Sequence, residues 1–236
     1  MYTQEAIILA GGKGTRLNTV VSDVPKVMAP VNGRPFLEFL LDYLSDYVIE
    51  HVVIAVSHLK DEIISHFGSQ YKDIRIDYSI EDEPLGTGGA VKKAFDLIEG
   101  PRAFVLNGDT MFRLDMVRHF DFHSIRKTNF SITLREVEDV SRYGAVELDD
   151  DKKIIAFHEK GDKRGKGLIN GGAYLIHRRF FEKNTFPDTF SLEKDCLEKL
   201  VPTGQFYGLV CRQYFIDIGI PEDYEKAQDD FQAFRH

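Results

Sequence analysis

The apolar run Ala6-Ile7-Ile8-Leu9 ends directly on Ala10-Gly11-Gly12-Lys13-Gly14-Thr15-Arg16, and this junction constrains the fold of the chain more than any other feature. A run so short and so uniformly apolar suits a strand buried on both faces, as in parallel sheets covered by helices. The three glycines let the backbone turn tightly and bring several amide N–H groups together, a cradle for anions. In an open α/β sheet such a loop lies at the carboxyl end of a strand, where ligands bind.

The rest of the chain repeats the theme. Short Val- and Ile-rich runs predict strands over 6–9, 51–56, 75–79 and 103–106, and helical periodicity predicts helices over 36–48, 60–67, 89–98 and 114–126. In the first helix Leu37, Leu40, Leu41, Leu44 and Val48 share a face. Strands alternating with helices imply βαβ units and a mostly parallel sheet. Beyond about residue 130 strands dominate, over 130–135, 145–148, 153–158, 169–176, 206–210 and 214–216, with a short helix over 192–200. A last helix opens at Pro221, with Glu222 and Asp223 in its first turn and Tyr224, Ala227, Phe231 and Phe234 as its core stripe. The expected fold is one α/β domain over 1–236, a Rossmann-like, doubly wound mixed sheet. A nucleotide-binding half reaches about residue 128, and a smaller antiparallel, substrate-holding region with the last helix follows from about 129.

Composition narrows the partners. The 236 residues are 43% hydrophobic and 29% charged, too apolar for a disordered chain. No run reaches the about 18 apolar residues of a membrane span, and the apolar stretch at 6–10 is too short for a secretory signal. Two cysteines, Cys196 and Cys211, cannot build a disulfide framework, which points to the cytoplasm. A net charge of −8 argues against nucleic acid and anionic membranes. Against that background residues 11–34 carry Lys13, Arg16, Lys26 and Arg34 and a single anion, Asp23, a candidate site for a small polyanion.

The glycine loop fits neither common phosphate motif. A Walker A loop has no match, and a dinucleotide fingerprint needs a small residue where Leu17 stands. The chain continues instead to Pro25-Lys26-Val27-Met28-Ala29-Pro30. Gly-Gly-x-Gly-Thr-Arg-Leu followed by Pro-Lys and a further Pro resembles the signature of the sugar-1-phosphate nucleotidylyltransferases, although Asn18-Thr19-Val20 stands where that family often has Pro-Leu-Thr. Leu85-Gly86-Thr87-Gly88-Gly89-Ala90 looks like the family's second glycine loop, and Leu106-Asn107-Gly108-Asp109 like its metal-bearing strand end. Glu159-Lys160 and Asn170-Gly171-Gly172 are similar to its sugar-side motifs, and Asp217-Ile218-Gly219 to its second metal aspartate.

The resemblance implies an enzyme that joins a nucleoside triphosphate to a sugar 1-phosphate and releases pyrophosphate, with Mg²⁺ as cofactor. It places Leu9, Gly11, Gly12, Gly14, Thr15, Arg16, Glu81, Gly86, Thr87 and Gly108 around the nucleotide. It places Lys26, Gly144, Glu159, Lys160, Asn170 and Gly171 around the sugar phosphate. Arg16, Lys26, Asp109 and Asp217 form the catalytic set, the two aspartates holding the metal. These residue types suit the chemistry. The nucleophile is already an anion, so the work is to bring two polyanions together and stabilise the transferred phosphoryl group. Arg16 offers a planar fork, Lys26 a compact charge, and Mg²⁺ prefers one or two carboxylates plus phosphate oxygens.

GTP is the expected nucleotide, read by Glu81: a carboxylate only accepts, and guanine presents adjacent N1–H and N2–H₂ donors. The competing reading of Glu81 is one of a solvated acidic trio with Asp82 and Glu83. His119 and His123, four apart, are expected as solvated helix residues, not a ligand pair. A pyrimidine nucleotide, another sugar, or a regulatory relative that has lost catalysis stay open, and the presence of all four catalytic residues counts against the last. A homo-oligomer is compatible with the reading.

Overall fold

The apolar runs form the centre of one sheet. A computed structural model of the chain describes residues 2–12, 24–158 and 160–234. Among them β1 (Glu5–Leu9) is followed by the hairpin β2 (Pro30–Val31) and β3 (Arg34–Pro35), α1 (Phe36–Asp46), β4 (His51–Val56) and α2 (Lys60–Phe67). Then come β5 (Gln70–Tyr71), β6 (Ile74–Ile80), α3 (Gly86–Ala94), β7 (Arg102–Asn107), β8 (Thr110–Phe112) and α4 (Met116–Ile125). The remainder runs through β9 (Phe130–Val137), β10 (Ala145–Leu148), β11 (Ile154–His158), β12 (Gly167–His177) and α5 (Arg179–Lys183). A helical turn (Leu192–Leu197) continues into α6 (Glu198–Leu200), ahead of β13 (Phe206–Cys211), β14 (Phe215–Asp217) and α7 (Pro221–Asp230).

The main sheet has the order β11-β10-β12-β7-β1-β4-β6-β5. β1 lies parallel to β4 and β7, and β4 parallel to β6. Alternate side chains face opposite layers. Ala6, Ile8, Val52 and Ile54 pack with Leu37, Leu40, Leu41 and Leu44 of α1, whereas Ile7 and Val53 pack with Val91 and Ala94 of α3. Val48 was expected on the α1 stripe, but it stands beyond the helix, 64% exposed, at a φ of +57°. The stripe ends at Leu44 because α1 stops at Asp46.

The second half extends this sheet. β12 pairs antiparallel with β7 along one edge and with β9 along the other. β13 is parallel to β9, in contrast to the antiparallel region expected. The chain reverses once between β12 and β13, through α5 and the 192–200 helix, so β13 runs opposite to β12 and therefore with β9. Within β12 the register slips between Asn170 and Tyr174, which oppose Leu134 and Ile132 of β9. Gly171 and Gly172 occupy this bulge. Gly172 has a φ of +69°, and a Cβ on Gly171 would lie 2.5 Å from the Phe112 ring. A side chain at either position would strain the bulge that re-aims Asn170.

Two histidines depart from expectation. His119 and His123 are buried, because α4 packs that face onto β9. Polar partners wait there. His119 Nε2 and His123 Nδ1 lie 2.9 and 2.8 Å from Ser131 Oγ, and His119 Nδ1 is 3.1 Å from Thr133 Oγ1. Burial pushes both imidazoles down to about 3, so both are neutral. The expected stripe is buried at Tyr224, Ala227 and, just past the end of α7, Phe231, which meets Phe39 edge-on with centroids 4.8 Å apart; the Phe234 side chain lies outside the described residues.

Candidate active site

The carboxyl ends of β1, β4, β6 and β7 converge on three adjoining cavities. The first, about 270 Å³, is lined by Leu9, Gly11 and Gly12 from the β1 end, Ser57 after β4, Glu81 after β6, and Gly86 and Thr87 at the start of α3. The second, about 450 Å³, is lined by Gly144, Asn170 and Gly171 with Lys160, Phe157 and Tyr143. Asn107 borders both. The third, about 590 Å³, holds Lys26, Asp109, Lys160, Asp217 and Arg142 and joins the other two through shared walls. Two cavities and a charged junction between them are therefore present in one cleft.

At the junction Lys26 Nζ lies 2.5 Å from Asp109 Oδ2 and 3.6 Å from Asp217 Oδ1. Asp109 follows β7. Asp217 ends β14, whose antiparallel ladder with β8 sets Asp217 opposite Thr110. The ladder thus brings carboxylates 108 positions apart in sequence (217 − 109) to one ammonium. Burial and the Asp109 charge push the Asp217 carboxyl up, against Lys26, the Gly219 N–H and Lys160. Two carboxylates around one point of positive charge, with no third His, Cys, Asp or Glu close enough among the described residues, suit a hard cation that takes its other ligands from water and phosphates.

In the first cavity Glu81 is 8% exposed, which overturns the solvated-trio reading; Asp82 and Glu83 are exposed. Its backbone N–H donates to Val56 O, continuing the β6 edge, and its Oε2 accepts the Leu85 N–H at 2.9 Å. Burial pushes the carboxyl up, opposed by that N–H and by Lys93. A Cβ on Gly11 would lie 3.0 Å from Ser57 Oγ and 3.2 Å from Glu81 Oε1. The loop therefore passes so close to both that glycine leaves the cavity open.

The second glycine run is not a loop. Gly86 opens α3, which starts three residues earlier than expected and ends at Ala94. Gly86 and Thr87 line the first cavity. Gly88 and Gly89 serve packing instead, donating their N–H groups to Phe190 O at 3.0 and 3.3 Å. A Cβ on Gly89 would meet Asp188 O at 2.2 Å. Gly108, expected at the nucleotide, is buried and donates its N–H to Leu9 O; a Cβ there would lie 2.6 Å from that oxygen, so the glycine serves the close approach of β7 to β1. Gly14, Thr15, Arg16 and Glu159 lie outside the described residues. Three contributors were missed in sequence. Asn107 stood inside a quoted motif, Arg142 stands two residues before Gly144 and is held by Asp223 at 2.6 Å, and Glu193 had no local signal.

This fold, with two cavities about a carboxylate-and-lysine junction, is of the kind nucleotidyltransferases have, and the chain belongs to the Nucleotidyl transferase family, whose model matches residues 5–233. It is 44% identical to D-glycero-α-D-manno-heptose 1-phosphate guanylyltransferase of Aneurinibacillus thermoaerophilus over 98% of this chain and 99% of that one. It is 41% identical to the enzyme of the same name in Campylobacter jejuni, over 93% and 96%. The crystal structure of HddC from Yersinia pseudotuberculosis superposes with a TM-score of 0.86 at 41% identity, covering 98% of this chain and 100% of that one. A second structure of that protein is complexed with GMP-PN. Mannose-1-phosphate guanylyltransferase of Mycobacterium tuberculosis is 32% identical over 96% of this chain and 64% of its own length.

Proposed function

We propose that this protein transfers a guanylyl group from GTP to D-glycero-α-D-manno-heptose 1-phosphate. A phosphate oxygen of the sugar substrate attacks the α-phosphorus of GTP, the bond to the β-phosphate bridging oxygen breaks, and pyrophosphate leaves. The observation that carries the reading is the shared junction: Lys26, Asp109 and Asp217 stand where the 270 Å³ and 450 Å³ cavities meet, which suits a base in one and a sugar in the other. The names of the 44% and 41% relatives support the sugar and the base, and the Glu81 carboxylate supplies an acceptor facing the first cavity.

Asp109 and Asp217 would hold Mg²⁺, which when bound supplies charge neutralisation for the transferred phosphoryl group. Lys26 and Lys160 bring the two anionic substrates together, and Asn170 with the bare backbone of Gly144 and Gly171 meets sugar hydroxyls. Two buried free thiols and the use of GTP fit the cytoplasm, and a GDP-heptose product fits supply of surface polysaccharide. Mannose 1-phosphate is the second reading, favoured by the 32% relative.

Pyrophosphate release, measured with the four nucleoside triphosphates against heptose, mannose and glucose 1-phosphates in Mg²⁺, tests the assignment. GTP with the heptose 1-phosphate should give the highest kcat/KM. A higher value with mannose 1-phosphate moves the sugar assignment, and preference for UTP, dTTP or CTP overturns the base assignment.

A further inference from the structure

Gly11 stands opposite Ser57 where β1 and β4 end. The two strands run parallel with Leu9 opposite Ala55, and two further residues on each bring Gly11 to Ser57. The backbone ladder reaches Ala10, whose N–H donates to Ala55 O at 2.9 Å. One residue on, a side chain takes the place of the backbone donor: the Ser57 hydroxyl donates to Gly11 O at 2.7 Å. Among the described residues this is the one hydrogen bond made by the peptide that joins Gly11 to Gly12.

That bond decides where the other end of the peptide points. In a trans peptide the C=O and the N–H stand on opposite sides of the C–N bond, and no peptide among the described residues is cis. With Gly11 O turned to Ser57, the Gly12 N–H is turned away from it. Ser57 and Gly11 line the 270 Å³ cavity, whereas Gly12 lines both that cavity and the 590 Å³ cavity that holds Lys26, Asp109 and Asp217. Neither residue of this peptide carries a Cβ, so without the hydroxyl the peptide can rotate at little steric cost. Rotation would put a carbonyl oxygen, which repels phosphate, where the N–H now stands. We propose that Ser57 is a positioning residue for the triphosphate: by holding Gly11 O it aims the Gly12 N–H at the phosphates beside Lys26. The assignment rests on the nucleotidyl-transfer reading above, and it concerns the phosphates of the nucleotide, not its base.

Ser57→Ala removes the hydroxyl and little else. With GTP and D-glycero-α-D-manno-heptose 1-phosphate, KM for GTP should rise about tenfold while KM for the sugar phosphate stays within about threefold. Guanosine has no phosphate, so its Ki as a competitor of GTP should stay within about threefold of the wild-type value. A hydroxyl that merely braced the cavity wall would weaken both. Ser57→Thr keeps the donor and should lie close to wild type in KM for GTP. An unchanged KM for GTP in Ser57→Ala overturns the assignment, as does an equal rise in KM for GTP and Ki for guanosine, or a folded Ser57→Thr protein as impaired as Ser57→Ala. If wild-type protein turns over no sugar 1-phosphate, the function reading falls and this assignment with it. Wild-type turnover beside unaltered Ser57→Ala kinetics sinks this assignment alone.

Discussion

Glu81 is nearly buried, with one carboxylate oxygen accepting the Leu85 N–H and the side chain lining the first cavity. Replacing that carboxylate by an amide puts a donor where guanine also donates. Glu81→Gln should lower kcat/KM for GTP by about 10² or more and raise the relative use of UTP or dTTP; an unaltered nucleotide profile rules the role out. Because burial raises this carboxyl, it takes up its proton at higher pH than a surface glutamate. The acceptor pair is present above that pKa and lost below it, so KM for GTP should climb on acidification in wild type and stay flatter in Glu81→Gln. Val48 poses a different residue-scale question. A β-branched side chain at φ +57° and 64% exposure is strained and contributes little packing. Val48→Asn should gain about 1 kcal/mol in urea unfolding, and a loss of stability would show that Val48 makes a contact in solution.

At the scale of elements, α4 against β9 shows how a helix face selects its residues. His119 and His123 are neutral and hydrogen-bonded beneath the helix, whereas in the unfolded chain they titrate near 6.5. Their folded pKa is depressed, so the stability they confer is present above about pH 6.5 and drains as the unfolded state takes up protons on the way down to about 3. Between pH 7.5 and 5.5 each should cost about 1.4 kcal/mol of unfolding free energy. Urea titrations at the two pH values check this: His123→Gln should remove about half of the pH-dependent loss, and equal losses in wild type and variant would contradict it. α3 makes a related point. Its first-turn glycines are placed by the carbonyl of Phe190 and the backbone of Asp188, so a run that reads as a phosphate loop is in part a packing seam.

At the scale of the whole molecule, the charged junction exists only because β14 returns to β8 and sets Asp217 beside Asp109 and Lys26. Neither half of the chain contains it. Asp109→Asn or Asp217→Asn should each cut kcat by about 10³ with circular dichroism unchanged, since an amide weakens the hold on a hard cation. Chelator-treated wild-type protein should be inactive until Mg²⁺ is restored. Full turnover in either variant, or in chelator, would refute the metal role.

The fold class, most element boundaries and the junction residues Lys26, Asp109 and Asp217 were legible in the chain. Buried parallel strands demand unbroken apolar runs, and phosphate chemistry demands cations and carboxylates at strand ends; both requirements are local. His51–Val56, Lys60–Phe67 and Ala145–Leu148 match residue for residue. What tertiary structure alone decided was everything that depends on a partner far away in sequence. The burial of His119 comes with Ser131 and Thr133, the fate of Gly88 and Gly89 from a segment about a hundred residues on, the direction of β13 from the reversal after β12, and the place of Glu193 from Thr87. A residue's type states which bonds it can make. Which bonds it does make is set by the backbone that packing brings within about 3 Å of it.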